Sequence, residues 1–148
     1  MPYPQLRLDE QLCFPLYATT RAVTRTYGVL LADLGLTYPQ YLVMLALWER
    51  TTPLAVGDLG VLLKLDSGTL SPLLKRLEAA GLVVRRRDAQ DERRVLVELT
   101  GAGRALEERA AGVPARLMAA LGVTPSEARA LGDRLNELLR NLEATLAE

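Results

Sequence analysis

The chain has 148 residues, 49% of them hydrophobic, with 18 basic and 18 acidic side chains, one cysteine and no histidine. That length suits a single domain with a core of its own; one cysteine excludes an internal disulfide, and the missing histidines exclude the common zinc arrangements, so no metal or other cofactor is expected. No apolar run approaches the roughly 18 residues that cross a membrane, and Met1-Pro2-Tyr3-Pro4-Gln5 lacks the cationic start of a secretion signal, which points to a cytoplasmic protein.

From about Asp9 to Leu34 the spacing of Leu12, Leu16, Val23, Tyr27, Leu30 and Leu31 predicts a helix with one apolar stripe. Asp9 is expected to cap its start and Gly35 to end it. Pro15 conflicts with a helix running through it, because it has no N–H to give the carbonyl of Gln11. Either the helix kinks there, or it begins near Pro15 and leaves Cys13 just outside the first turn. Thr37-Tyr38-Pro39-Gln40 reads as a capping box. The run Tyr41 to Trp48 that follows is apolar on nearly every face and is expected to be the buried central helix. A short helix over about Val56 to Leu63 and another from Asp66-Ser67 to Ala80, stopped by Gly81, read as a helix-turn-helix.

Beyond Gly81 the period changes. Leu82-Val83-Val84 and Val95 to Leu99 favour strands, giving a two-stranded hairpin whose tip is the charged span Arg85 to Arg94. Thr100-Gly101-Ala102-Gly103 starts a further helix, and Thr124-Pro125-Ser126-Glu127 opens the last one, about 125 to 146, with an apolar face from Leu131, Leu135, Leu138, Leu139, Leu142 and Leu146. Such a helix spans about 33 Å, more than a small DNA-binding module needs. Its apolar face would stand exposed on a monomer. Pairing of the terminal helices about a two-fold axis would cover it; folding back on the same chain is the other solution. The expected architecture is mainly α with a small β wing: a winged helix-turn-helix with N- and C-terminal dimerisation helices. Residues 1–148 form one domain, with 8–35 and 101–148 contributing to dimerisation and 38–100 forming the DNA-binding region.

Zero net charge hides a local excess. Residues 75–94 hold seven basic groups against four acidic ones, whereas residues 101–148 hold six and seven; local fields govern docking on phosphates. In the second short helix Ser67, Thr69, Ser71 and Pro72 are small enough for close approach to base edges, and Lys75 and Arg76 fall where phosphates would run. In the hairpin, Arg85, Arg86, Arg87, Arg93 and Arg94 are candidates for DNA contact. One arginine could enter the minor groove while Asp91 or Glu92 steadies a neighbour; a solvated turn of mixed charge is the plainer alternative. A two-fold dimer would read an inverted repeat in double-stranded DNA, with half-sites about 34–36 Å apart.

Several short motifs carry a closer likeness: Gln11-Leu12-Cys13-Phe14 with Leu16-Tyr17, Thr37-Tyr38-Pro39-Gln40-Tyr41, Leu65-Asp66-Ser67-Gly68-Thr69-Leu70 and Asp91-Glu92-Arg93. In these the chain resembles the MarR family of winged-helix regulators, and within it the one-cysteine, organic-hydroperoxide-sensing (OhrR) branch, from Leu8 to the end. Pro15 departs from the family pattern. The resemblance implies a homodimeric repressor, not an enzyme, whose reactive thiol is Cys13, surrounded by Phe14, Tyr17, Tyr27 and Tyr38, some of them reaching across the dimer interface. Organic hydroperoxides are the implied signal. Some members carry a resolving cysteine that this chain lacks, so a sulfenic acid here must react with a small thiol, cyclise with a backbone nitrogen or oxidise further; a low-molecular-weight thiol is expected to complete the switch by forming a mixed disulfide.

The residues near Cys13 give this reading mixed support. Tyrosine hydroxyls can stabilise a thiolate by hydrogen bonding, and Tyr17 shares a helical face with Cys13 if the helix is continuous. Asp9 and Glu10 oppose it, and no basic residue adjoins the cysteine. An unpaired cysteine in an apolar setting is also commonly inert. Three other readings stay open: a regulator binding a small aromatic ligand among Tyr17, Tyr27, Tyr38 and Trp48, a thiol-dependent peroxidase, and a DNA-binding protein with no effector.

Overall fold

A computed structural model describes residues 2–147. Two short 3-10 turns, Pro4–Leu6 and Leu8–Glu10, precede α1 (Cys13–Leu30). Asp9 therefore caps no α-helix; its carboxylate faces the Arg7 guanidinium, with Nε–Oδ1 at 3.0 Å and Nη2–Oδ2 at 2.7 Å. Pro15 occupies the third position of α1, where a backbone N–H would have no partner inside the helix anyway. The helix consequently starts two residues before the proline and continues through it to Leu30, and Cys13 lies inside its first turn. It stops at Leu30 rather than Leu34; a 3-10 turn, Ala32–Leu34, carries the chain to Gly35, whose φ of 67° is the left-handed conformation that glycine adopts freely.

Thr37 and Gln40 form the expected capping box at the start of α2 (Tyr38–Trp48). Tyr41, Val43, Met44, Ala46 and Leu47 are buried, so this helix is the centre of the core. α3 (Val56–Leu63) and α4 (Ser67–Ala79) follow, then the wing strands β2 (Val83–Arg87) and β3 (Val95–Leu99). The hairpin is not two-stranded. A two-residue strand, β1 (Leu54–Ala55), pairs with β3 through Leu54↔Val97 and Ala55↔Leu96, giving an antiparallel sheet in the order β1-β3-β2. Two residues are too few to show alternation in a sequence. Arg85, Arg86 and Arg87 belong to β2, not to the tip, which is confined to residues 88–94.

α5 (Gly101–Ala110) is joined to this core by a very close approach. A Cβ on Gly103 would stand 2.1 Å from the carbonyl oxygen of Leu82, and the Gly103 carbonyl accepts the indole N–H of Trp48 at 2.9 Å. Arg109, in the last turn of α5, donates to the carbonyl of Asp33 at 2.6 Å.

The chain divides into two compact units, one through Ala111 and one from Gly112 onward. The second contains α6 (Val113–Leu121) and α7 (Pro125–Leu146), the latter opened by a capping box between Thr124 and Glu127. No residue of α7 is buried, and Leu131, Leu135, Leu138, Leu139 and Leu142 all expose more than a third of their surface. No helix among the described residues is long and apolar enough to cross a membrane.

Candidate DNA interface and thiol site

The turn between α3 and α4 is built from backbone. Leu65 N–H donates to the Gly60 carbonyl at 2.9 Å, Lys64 takes a left-handed φ of 57°, and Asp66 accepts the Thr69 N–H at 2.7 Å. Leu70, Leu73, Leu74 and Leu77 then bury one face of α4. The opposite face presents Ser67, Thr69, Ser71, Pro72, Lys75 and Arg76, all exposed. Pro72 lies on this open side, so the Gly68 carbonyl it leaves without an N–H partner is reachable by water and the helix continues. Asp66→Ala removes the cap and should cost about 1 kcal/mol of stability, read as a lower urea midpoint.

The wing arginines divide by what they touch. Arg85 is turned inward: its guanidinium meets Glu78 of α4 at 2.9 and 3.2 Å and its backbone N–H meets the same carboxylate at 3.1 Å. Those contacts hold the Glu78 carboxyl below the usual carboxylate range and tie the wing to the reading helix. Arg94 reaches Asp58 of α3 at 3.2 Å and Asp88 at 3.7 Å. Arg86 faces Glu98 at 3.6 Å, and Arg87 donates to the Glu92 carbonyl at 2.7 Å. Arg93 differs: its side chain is 92% exposed, and its one carboxylate partner is its tip neighbour Asp91, which accepts its backbone N–H (3.2 Å), its Nε–H (3.1 Å) and an Nη2–H (3.4 Å). A cleft of about 380 Å³, lined in part by Asp58, Ser71, Arg85, Arg93 and Arg94, separates the wing from the helices. Lys75 and Arg76 have no carboxylate partner among the described residues.

Cys13 is exposed and unpaired. As the first residue of α1 it sits at the electropositive end of the helix, and of the two carboxylates that precede it, Asp9 is paired with Arg7 at 2.7 Å. Leu12, Phe14, Leu16 and Tyr17 around it each expose 38% to 68% of their surface. Tyr17 is one turn further along the same face, and its hydroxyl accepts a hydrogen bond from Arg21 at 2.9 Å. Arg21 escaped sequence reasoning because it does not adjoin Cys13. Its signal is the four-residue interval from Tyr17.

Tyr27 is near the other end of α1, about 21 Å along the axis from Cys13 at 1.5 Å per residue. Its ring stacks on Tyr38 with centroids 4.0 Å apart and planes within 6°. Tyr41 tilts against it at 5.7 Å, and Trp48 meets Tyr41 edge-on at 6.2 Å. Burial, then the neighbouring phenols of Tyr38 and Tyr41, push Tyr27 up to about 12; burial likewise raises Tyr38. Both stay protonated hydrogen-bond donors at any physiological pH. Their hydroxyls have no partner among the described residues and are not sealed off from solvent. One chain thus gathers Cys13, Phe14 and Tyr17 at one end of α1, and Tyr27 and Tyr38 at the other.

A helix-turn-helix with an exposed reading face, braced by a basic wing, defines a winged-helix transcriptional regulator. The family model "Transcriptional regulator SarA/Rot" matches residues 25–109. The organic hydroperoxide resistance transcriptional regulator of Bacillus subtilis (strain 168) is 44% identical over 140 residues, covering 95% of each chain. The HTH-type transcriptional regulator TtmR of Methylorubrum extorquens (strain PA1) is 50% identical over 137 residues, 93% of this chain and 70% of that one. Among solved structures, reduced AbfR bound to DNA matches with a TM-score of 0.78 at 35% identity, covering 96% of this chain and 99% of that one; AbfR has also been solved overoxidized on DNA (0.76) and in a disulfide-formed state (0.64). The chain belongs to the MarR family of winged helix-turn-helix transcriptional regulators, among the one-cysteine relatives of the organic-hydroperoxide sensors.

Proposed function

We propose that this protein is a homodimeric repressor that holds an inverted-repeat operator while Cys13 is a thiol and releases it after an organic hydroperoxide has oxidised that thiol. The observation that carries this reading is the division of the site. Cys13 with Phe14 and Tyr17, and the Tyr27–Tyr38 pair, lie at opposite ends of one helix, each with open polar groups. A second copy with its α1 antiparallel would bring each cysteine to its partner's tyrosine pair. The same pairing would cover the exposed leucines near Cys13, and α7 offers a further apolar face to a second copy. The apolar surroundings of Cys13 suit an alkyl or lipid hydroperoxide better than hydrogen peroxide.

On DNA, Ser67, Thr69, Ser71 and Pro72 would meet base edges, with Lys75, Arg76 and Arg86 at phosphates. Arg93, exposed and held only by its tip neighbour Asp91, is the arginine placed to enter the minor groove, and Arg87 and Arg94 support it through the tip. Arg85 acts as a brace. Arg93→Ala should lower operator affinity about tenfold and reduce the salt slope by about one, whereas loss of Arg85 should loosen the wing itself; titrations at several salt concentrations separate the two.

Oxidation gives a sulfenic acid. With no second cysteine in the chain, a low-molecular-weight thiol condenses with it, expelling water and leaving a mixed disulfide. That bulk enters a packed interface, where overpacking costs about 1–3 kcal/mol, enough to respace the two reading heads. Related AbfR, overoxidized, is still found on DNA, which fits a need for more than added oxygen. The test is operator release followed beside intact mass. We expect incomplete release with hydroperoxide alone and full release once the small thiol is added. Full release while Cys13 carries only one added oxygen rejects the thiol requirement, and release with no change in mass rejects sensing by oxidation.

A further inference from the structure

We propose that the outer face of α3 is a contact surface between copies of this protein seated on neighbouring sites of one DNA, so that binding at one site raises affinity at the next; the inference rests on the operator-binding reading above. Asp58, Val61 and Leu62 fall at positions i, i+3 and i+4 of α3 and share one face. Leu59 is fully buried and fixes the other face against the core. Val61 is 76% exposed, more than any other large apolar side chain described before residue 112, and Leu62 is exposed beside it. A single exposed valine is ordinary. This one borders an open groove of about 410 Å³ that it shares with Leu62, Leu54, Arg50 and Asp58.

Charge and size say what covers it. Arg50 has no carboxylate partner among the described residues. The Asp58 side chain is 64% exposed, and Arg94 engages its Oδ2 atom at 3.2 Å. An apolar patch that carries one cation and one anion is complementary to itself. Across a two-fold axis, Arg50 of each copy meets Asp58 of the other while Val61 enters the facing groove. Two large apolar side chains per copy fall far below the roughly 800 Å² per partner of a stable interface, so the patch does not join free copies. DNA supplies the missing concentration. Only residues 64–66 separate α3 from α4, so the patch travels with the reading helix, and side-by-side docking presents one patch to another.

Inverted-repeat sites are first selected with the full-length protein from random-sequence duplexes. Affinity is then measured at fixed salt on DNA bearing one such site and on DNA bearing two. The wild type should fill the paired sites about tenfold more tightly than the single site predicts, within the ordinary span of coupling between sites. Moving the second site by half a helical turn, about five base pairs, puts it on the far side of the duplex and should remove the gain. Val61→Gln should abolish the gain and leave single-site affinity at the wild-type value. Arg50→Glu should also abolish the gain, and Arg50→Glu/Asp58→Lys, which reverses the pair, should recover part of it. The gain is a ratio, so any effect of Asp58 on the wing divides out. Independent filling of two sites by the wild type, a gain indifferent to phase or one that survives Val61→Gln, overturns the proposal. So does equal loss on one-site and two-site DNA, which would place the patch against DNA instead. If selection returns no inverted repeat, the operator reading itself fails, and this inference with it.

Discussion

Cys13→Ser should bind the operator as tightly as the wild type and show no response to organic hydroperoxide, where the wild type loses affinity by about tenfold to a hundredfold, the span of ordinary allosteric coupling. Cys13 is exposed and forms no part of the core, so replacing its sulfur with oxygen leaves packing and the reading helix untouched. The change removes only chemistry. A serine hydroxyl does not ionise near neutrality and cannot climb the oxidation ladder that a thiolate enters. Binding should be measured at fixed salt, because phosphate contacts make affinity steeply salt-dependent. Release of DNA by the serine variant on peroxide treatment would end the Cys13 assignment and favour a regulator that answers a bound ligand.

Gly103→Ala should be the most damaging of the glycine-to-alanine substitutions, lowering stability by about 3 kcal/mol. The added Cβ would meet the Leu82 carbonyl oxygen at 2.1 Å. That oxygen cannot retreat easily, for it already accepts the Thr100 N–H at 3.0 Å, and Thr100 in turn caps α5 by accepting the Gly103 N–H at 3.0 Å. Moving α5 instead would stretch the bond from Trp48 to the Gly103 carbonyl. Alanine is favoured over glycine inside a helix by about 1 kcal/mol, and that gain is too small to offset the clash. Gly101, two residues earlier, is the control: nothing lies within 4 Å of its Cβ position, so Gly101→Ala should stay within about 0.5 kcal/mol of wild type. Urea unfolding of both variants tests the pair; equal midpoints would contradict the close approach.

The order of elements was legible because its signals are local. Thr37 with Gln40, Asp66 and Thr124 with Glu127 mark helix starts by hydrogen bonds that span three residues, and the leucines of α4 declare a buried face by their spacing alone. The exposed side of α4 follows by elimination, which is why its small residues could be singled out. The start of α1 was misread because a cap residue and a proline gave opposing local signals. What settled it is that a proline in the first turn forfeits no internal hydrogen bond.

Which arginine is a brace and which is free was not legible, since Arg85 and Arg93 are alike in sequence. The sheet register and the packing of β2 against α4 decide that Arg85 meets Glu78 while Arg93 projects into solvent. The tyrosines show the same division. Sequence alone determined that this is a winged helix with five tyrosines and one cysteine, and so no resolving partner within the chain. The tertiary structure decided that Tyr27 and Tyr38 stack on each other, that Arg21 holds Tyr17, and that one helix separates the cysteine from the stacked pair. Those outcomes depend on where elements meet in space, and the length of a rigid helix prevents a single chain from bringing them together.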